Sequence, residues 1–333
     1  MGVHSLFKLL ETVGTPVKWN MYSGQTIGID ASIFIYATTL GMQSINALTS
    51  VDGEPTSFLN ALFALIIKFK KLSITPIMIF DGVPPELKKM TLADRRKRRQ
   101  DAAERIAALN ADAATDLTGL ELAQLLTERA QLSVMGETRD TSGQVSAADL
   151  EKRAFTITDK IVEDTKLLLD MMGVKYINSP DGFEAEQMAA GMQQEGIIHA
   201  VYTADADALV FGAERMIRRV KEGKLIEYTL DRVMSTLGIT NREELANIAV
   251  SLGCDFAPKV RGIGEKSYKR GMSAEHFTEE QLAARNFFLA PPPLDMSQMH
   301  TSPENCDQAI RWLVDIKGFN EDRLKKMLTS KVH

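Results

Sequence analysis

VKYINSPDGFEAEQMAAGMQQEGIIHAVYTADADALVFG, residues 174–212, is the stretch on which the reading of this chain turns. Val174 to Ile177 is a short apolar run closed by Asn178-Ser179-Pro180. Phe183 to Gln194 has helical spacing and helix-forming residues, and Ile197 to Thr203 is apolar again. Strand, helix and strand make a parallel βαβ unit, and ligands of parallel sheets collect beyond the carboxyl ends of the strands. Both of those ends carry acids here, Glu184 and Glu186 after the first strand and Asp205 and Asp207 after the second. Four carboxylates in one crevice repel one another by several kcal/mol at intermediate dielectric, so the arrangement calls for cations between them. A ligand set made only of oxygen points to magnesium or manganese.

Working outward, TIGID at 26–30 and PIMIFD at 76–81 are apolar strands that each end in an aspartate, Asp30 and Asp81, and Asp255 follows a helical run at 241–252. A single Asp at a strand end is ordinarily a cap or turn former. Seven acids, six of them at predicted strand ends, are poorly explained by capping alone. Glu184 and Glu186 also suit a first helical turn and Asp205 suits a cap, and neither role excludes metal binding.

The chain has 333 residues, 44% of them apolar, enough for one large core. No run is long enough to span a bilayer, and Met1 to Leu10 lacks the features of a secretory signal. Two cysteines, Cys254 and Cys306, provide neither a disulfide framework nor a zinc site, so an intracellular protein with oxygen-bound metal is expected. The net charge of −5 conceals a local reversal, because residues 88–99 (KKMTLADRRKRR) hold seven basic residues and Asp94 alone against them. An acidic site beside a basic clamp suits metal-dependent chemistry on a phosphodiester backbone. Lys88, Arg95 and Arg99 share one helical face; a solvated face is the plain alternative.

Helices are predicted at the N-terminus around Leu6 to Val13, then at 31–45, 56–71, 86–133 and 148–172, with a Pro16-containing loop and an exposed connection at 134–147. The block 86–155 adds no strand and reads as an excursion above the strand ends, where a lid would lie. RMIRRVKEGKLIEYTL (215–230) reads as two strands joined at Glu222-Gly223. Helices follow at 230–237, 241–252, 303–316 and 320–330. Gly262-Ile263-Gly264 ahead of Lys266 is a tight loop able to present backbone N–H groups to a phosphate. Tyr36 reads as a core residue or a base-stacking platform.

MGVHSLFKLL, IGIDASIFIY, IFDGVPPELK, FEAEQMAA, TADADALVFG and GCDF followed by RGIGEKS, in that order, resemble the flap endonuclease branch of the XPG-type structure-specific 5' nucleases, from Met1 to about Leu328. The resemblance implies an α/β, PIN-like fold, a twisted and mostly parallel sheet flanked by helices, with a helical arch and a C-terminal helix-two-turn-helix element. It implies a single nuclease domain over 1–333, made of an N-terminal region (1–105), an arch insertion (86–155), an internal region (156–255) and a C-terminal region (256–333). By the same resemblance two Mg2+ ions, replaceable by Mn2+, lie among Asp30, Asp81, Glu184, Glu186, Asp205, Asp207 and Asp255. Lys88 and Arg95 are then catalytic. Gly2, Tyr36, Arg96, Arg98, Arg99, Arg261, Gly262, Gly264 and Lys266 contact DNA, and a K+ ion sits at loop 259–264.

The expected partner is DNA with a 5' flap, nick or junction, bound by a monomer in replication, repair or recombination. The expected location is nuclear in a eukaryotic cell, and otherwise wherever DNA is replicated, a viral replication site included. A junction resolvase, a 5'-3' exonuclease, an RNA-cutting PIN nuclease or a non-catalytic DNA-binding scaffold are the alternatives. The sequence departs from the family pattern in four places. Asp181, Gly182 and Phe183 separate Pro180 from the acidic motif, Gln43 stands where relatives carry arginine, the arch segment at 100–150 is longer and less basic than the resemblance implies, and neither a sliding-clamp motif of the Q-x-x-L-x-x-F-F kind nor a basic tail follows Leu328.

Overall fold

Parallel strands of Val, Ile and Phe flanked by helices account for most of the computed structural model, which describes residues 3, 5–42, 56–115, 150, 153–220 and 223–330. Among these residues seven strands form one sheet: β1 (Thr15–Val17), β2 (Thr26–Asp30), β3 (Thr75–Phe80), β4 (Lys175–Asn178), β5 (Ala200–Tyr202), β6 (Arg215–Arg219) and β7 (Leu225–Thr229). Their spatial order is β1-β7-β6-β5-β2-β3-β4. The five strands from β6 to β4 are parallel, and the β6–β7–β1 edge is antiparallel. The chain builds outward from β2 through β3 to β4 and then returns to β5 on the other side. The carboxyl ends of β2 and β5 therefore flank a topological switch point. Strands from both the N-terminal and the internal region share this sheet, and β1 pairs with β7 across more than two hundred positions, Thr15 opposite Glu227.

Two layers of core enclose the sheet. On one face Ile27, Ile29, Phe63, Ile66 and Phe69 pack with Leu168 and Leu169; on the other Ile77, Ile79, Met188 and Val201 pack with Leu245, Ile248 and Phe288. The helices that matter for the site are α1 (Leu6–Leu9), α2 (Ala31–Met42), α3 (Ser57–Lys71), α4 (Lys89–Thr115), α5 (Asp159–Met171), α6 (Ala185–Gln194), α7 (Asp207–Val210), α8 (Leu230–Leu237) and α9 (Arg242–Leu252). The C-terminal region adds α10 (Glu279–Leu289), α11 (Cys306–Asp315) and α12 (Glu321–Thr329).

Several expectations are corrected. The Pro16 loop is an edge strand, where a residue without an N–H is tolerated. Strands β4 and β5 are parallel members of one sheet but not neighbours, since β3 and β2 lie between them; α6 therefore crosses over both. The expected helix 148–172 is non-helical over Phe155–Thr158, where the β-branched run Thr156-Ile157-Thr158 disfavours it. Helix α5 restarts with the Thr158 hydroxyl accepting from Ile161 N at 3.3 Å. Lys88 ends a 3-10 turn (Glu86–Lys88) before α4 begins, and residues 116–149 of the expected arch, Gly119 and 134–147 among them, lie outside the described residues, as do Gly2 and Gln43. Within the region 256–333 where a helix-two-turn-helix element was expected, the residues after the glycine loop form a 3-10 segment, Glu265–Gly271, interrupted at Ser267, whose hydroxyl bonds back to the preceding loop. Helix α10 was not expected, although Thr278 and Gln281 form a capping box readable as T-x-x-Q.

Candidate active site at the carboxyl ends of the strands

Each acid arrives by the geometry of its own strand or helix end. Asp30 closes β2 and caps α2, its Oδ1 accepting Ile33 N at 2.9 Å, so the capping role and a place in the crevice hold together. Asp81 follows β3 and accepts Ala185 N at 3.1 Å. Glu184 occupies the N-cap position of α6 without a capping bond, and Glu186 lies in its first turn, so both carboxylates are left for the crevice. Asp205 follows β5 and accepts Asp207 N at 3.1 Å. Asp207 begins α7, and its Oδ1 accepts Val3 N at 2.6 Å, which ties the N-terminal segment next to Gly2 to the site. Asp255 lies just beyond α9.

Asp81, Glu184 and Glu186 each bring a carboxylate oxygen within 4.8 Å of the other two. Six of the seven acids are buried, with Asp81 the exposed one. Their mutual repulsion shows in the titration of the buried members. Burial and the Asp81 carboxylate push Asp30 up to about 7. Burial, then Asp30 and Asp205, raise Glu186 well above the usual carboxylate range. Burial, then Asp205 and Asp255, do the same for Asp207. Glu184 is raised by burial, with Lys88 pulling the other way.

Two cations reach this cluster. Lys88 Nζ pairs with Glu184, stands 3.8 Å from Asp255 Oδ2 and lies 5.7 Å from the centroid of the Phe256 ring. Burial works against the Lys88 charge, but Glu184 and Glu186 outweigh it and hold its pKa above the ordinary lysine value. Arg95 NH2 lies 2.5 Å from Asp255 Oδ2, and the Thr91 hydroxyl donates to Asp255 O at 2.7 Å, so the first turns of α4 are fastened to the acid end of α9. Seven carboxylates against two cations leave a formal surplus of five negative charges. Hard divalent cations bound by oxygen are the partners that chemistry fits.

The basic face divides. Lys88 and Arg95 meet the acids, whereas Arg99 bonds the Thr156 hydroxyl and Arg96 and Arg98 are exposed to solvent. Tyr36 is half-buried on α2, tilted against Phe155 with centroids 5.8 Å apart, and is neither core nor fully open. Arg261, Gly262 and Gly264 lie on a separate loop, with Lys266 in the 3-10 segment that follows it, and none of them is brought to the acids. That loop is joined to α1 by Lys8 Nζ, 2.8 Å from Glu265 Oε1. Thr203 was missed in the sequence. Its buried hydroxyl donates to Asp30 Oδ2 at 3.2 Å and accepts Asp205 N at 3.1 Å, linking the ends of β2 and β5. The signal was its place two residues before Asp205 at the end of an apolar strand.

The description "XPG N-terminal domain" matches residues 1–102 and "XPG I-region" matches 173–255, the two segments that supply the acids. The chain is 30% identical to flap endonuclease 1 of Xiphophorus maculatus over 99% of this chain and 87% of that protein. It is 31% identical to flap endonuclease 1 of Pyrobaculum aerophilum over 98% of this chain and 94% of that one. The chain belongs to the XPG-type flap endonuclease family. The solved structure of flap endonuclease-1 from Methanococcus jannaschii matches the fold with a TM-score of 0.69 at 26% identity, covering 98% of this chain and 96% of that one. As a member of this family the protein is a structure-specific 5' nuclease that hydrolyses DNA phosphodiesters with divalent metal. None of its described helices is long and apolar enough to cross a membrane.

Proposed function

We propose that the crevice holds two Mg2+ ions, replaceable by Mn2+, among Asp30, Asp81, Glu184, Glu186, Asp205, Asp207 and Asp255, and that the protein cuts DNA near a 5' flap or 5' end. The observation that carries this is the Asp81–Glu184–Glu186 trio at metal-sharing distance, with Lys88 joined to Glu184 and Arg95 to Asp255 at its rim. When bound, the metals would supply an activated water and charge neutralisation for the leaving 3' oxygen. Asp81, the exposed carboxylate, faces the approach of the backbone, while the buried acids fix the far side of the site.

Lys88 and Arg95, now paired with Glu184 and Asp255, are the cations beside the acids that would bind the scissile phosphate, where their charges would oppose the negative charge that grows in the transition state. Burial at the Phe256 ring makes Lys88 the better placed of the two. Away from the chemistry, Gly2, Tyr36, Arg96, Arg98 and Arg99 contact DNA near the site. Arg261, Gly262, Gly264 and Lys266, with a K+ ion at the carbonyls of 259–264, grip duplex. The chain acts as a single nuclease domain, monomeric, at the place where DNA is replicated or repaired.

Labelled 5'-flap, nicked and four-way substrates incubated with and without magnesium test this reading. Metal-dependent cleavage of the flap at its base in preference to the others is the expected result. Preferred symmetrical cutting of the four-way junction would make it a resolvase, and binding without cutting would make it a scaffold.

A further inference from the structure

The loops after β3 and β4 remain bonded to each other beyond the last ladder residues. Ser179 N donates to Phe80 O at 2.7 Å, and Gly82 N donates to Ser179 Oγ at 2.8 Å. The same hydroxyl donates to Phe183 O at 2.9 Å. Val83 N donates to Asp181 Oδ1 at 3.2 Å and Gly182 N to Val83 O at 2.8 Å. The approach is close enough that a Cβ on Gly82 would stand 2.4 Å from Ser179 O. Ser179 is 4% exposed, so its hydroxyl has little water to fall back on.

One of these loops carries Asp81, and the other leads directly into Glu184 and Glu186. The extra residues after Pro180, a departure from the family pattern, now have a physical role. Gly182, with φ of 84°, turns the chain so that Asp181 and Gly182 both face Val83, and the β3–β4 pairing is prolonged to the edge of the crevice.

We infer that Ser179 is a positioning residue for divalent-metal binding, its single hydroxyl clasping the Asp81 loop to the Glu184–Glu186 loop, with Asp181 as a second tie through Val83. The inference rests on the reading that this acid trio holds metal. Three like-charged carboxylates repel one another in the metal-free protein, and the bond their own groups make between the two loops, Ala185 N to Asp81 Oδ1 at 3.1 Å, occupies an oxygen of one of the three. Ser179 opposes that separation from below, because its acceptor and donor bonds go one to each loop. Groups that orient metal ligands in this way typically change metal affinity by about tenfold or more when removed.

Mn2+ titration of the full-length, metal-free protein followed by electron paramagnetic resonance, in the absence of DNA, tests the clasp. Asp81→Ala serves as the reference. If it leaves Mn2+ affinity unchanged, the reading of the trio as a metal site fails, whatever Ser179 does. With that reference weakened as expected, Ser179→Ala should raise the Mn2+ dissociation constant about tenfold while its melting temperature stays within about 3 °C of wild type. Ser179→Thr, which keeps the hydroxyl, should restore most of the affinity. Wild-type affinity in Ser179→Ala, or equal loss in the Thr variant, overturns the proposal. Should Ser179→Ala fail to fold, the exposed Asp181 decides. Asp181→Ala should bind Mn2+ several-fold more weakly than Asp181→Asn, which keeps the acceptor for Val83, and equal affinity in the two overturns it.

Discussion

The acid crevice and the loop at 259–264 are assembled in opposite ways. The crevice draws carboxylates from five segments far apart in the chain, buries most of them and leaves their charge in surplus. The loop is made of consecutive residues held by short-range bonds, with Ile263 N on Val260 O at 3.2 Å and Gly264 N on the Ser267 hydroxyl at 3.0 Å, and Gly262 at φ of 83°. It keeps its cations, Lys259 and Arg261, in solvent, as it does Lys266 just beyond it. A site that converges against repulsion depends on the whole fold and on an ion, so single changes there should be severe. A local loop with exposed charges should tune affinity and little else.

The largest expected effect sharpens that contrast. Asp81→Ala and Asp207→Ala should each lower single-turnover cleavage about 1,000-fold or more, a barrier rise of roughly 4 kcal/mol, while DNA binding in EDTA is kept or improved because repulsion of phosphate falls. Cleavage within about tenfold of wild type would break the assignment. Lys88→Ala should follow at about 100-fold in single-turnover rate with little loss of affinity, as expected for a charge that acts on the transition state. Arg95→Ala should lose less, since Arg95 is more exposed and its ion pair among the described residues is with Asp255. Equal small losses in rate and affinity for both would return them to the solvated face on which Arg96 and Arg98 lie.

Why so much of the crevice was legible in the sequence follows from its construction. In a parallel sheet the residue after each strand is at one edge, so Asp30, Asp81, Glu184 and Asp205 could be placed together before any strand order was known. The order itself was not legible, because β4 and β5 are adjacent in sequence yet separated by β3 and β2, and no local pattern records that. Arg99 shows the limit of helical spacing. It shares a face with Arg95 but is captured by Thr156, a residue whose position depends on the unexpected break at Phe155–Thr158. Thr203 and Ser179 escaped notice for the same reason, as hydroxyls whose roles are set by tertiary neighbours.

Surplus charge also predicts an unusual pH dependence for the metal-free protein. Burial and repulsion push Asp30 up to about 7 and hold Glu186 and Asp207 well above their ordinary values. The folded state thus retains protons that the unfolded chain has already released. This contribution is at its most favourable below the ordinary carboxylate range, declines as pH rises towards about 7 for Asp30, and is lost above it. Melting of the metal-free protein should therefore be lower at pH 8 than at pH 5.5, by on the order of 5 °C, with magnesium closing the gap. Asp30→Asn, which cannot ionise, should flatten the difference. A melting temperature that rises with pH in metal-free wild type, unchanged in Asp30→Asn, would show that the crevice carries no such strain.

The smallest effect belongs to the loop. If carbonyls of 259–264 hold a potassium ion that bridges to a duplex phosphate, affinity for a duplex-containing flap should fall about threefold when lithium replaces potassium at equal ionic strength, with single-stranded DNA unaffected. Glu265 is the obvious objection, since a negative charge directly after Gly264 would repel phosphate. The structure answers it by pairing Glu265 with Lys8, which leaves Lys259, Arg261 and Lys266 exposed around the loop. Lys8→Ala should therefore weaken duplex binding in both salts without changing the ratio between them, because it frees the Glu265 charge but leaves the carbonyls in place. The Gly262 and Gly264 carbonyls accept the Ser267 hydroxyl at 3.3 and 3.4 Å, bonds long enough for an ion to compete with. Equal duplex affinity in lithium and potassium would make the loop a tight turn and nothing more, and the duplex grip would then rest on exposed cations such as Arg261 and Lys266, with Lys259 beside them.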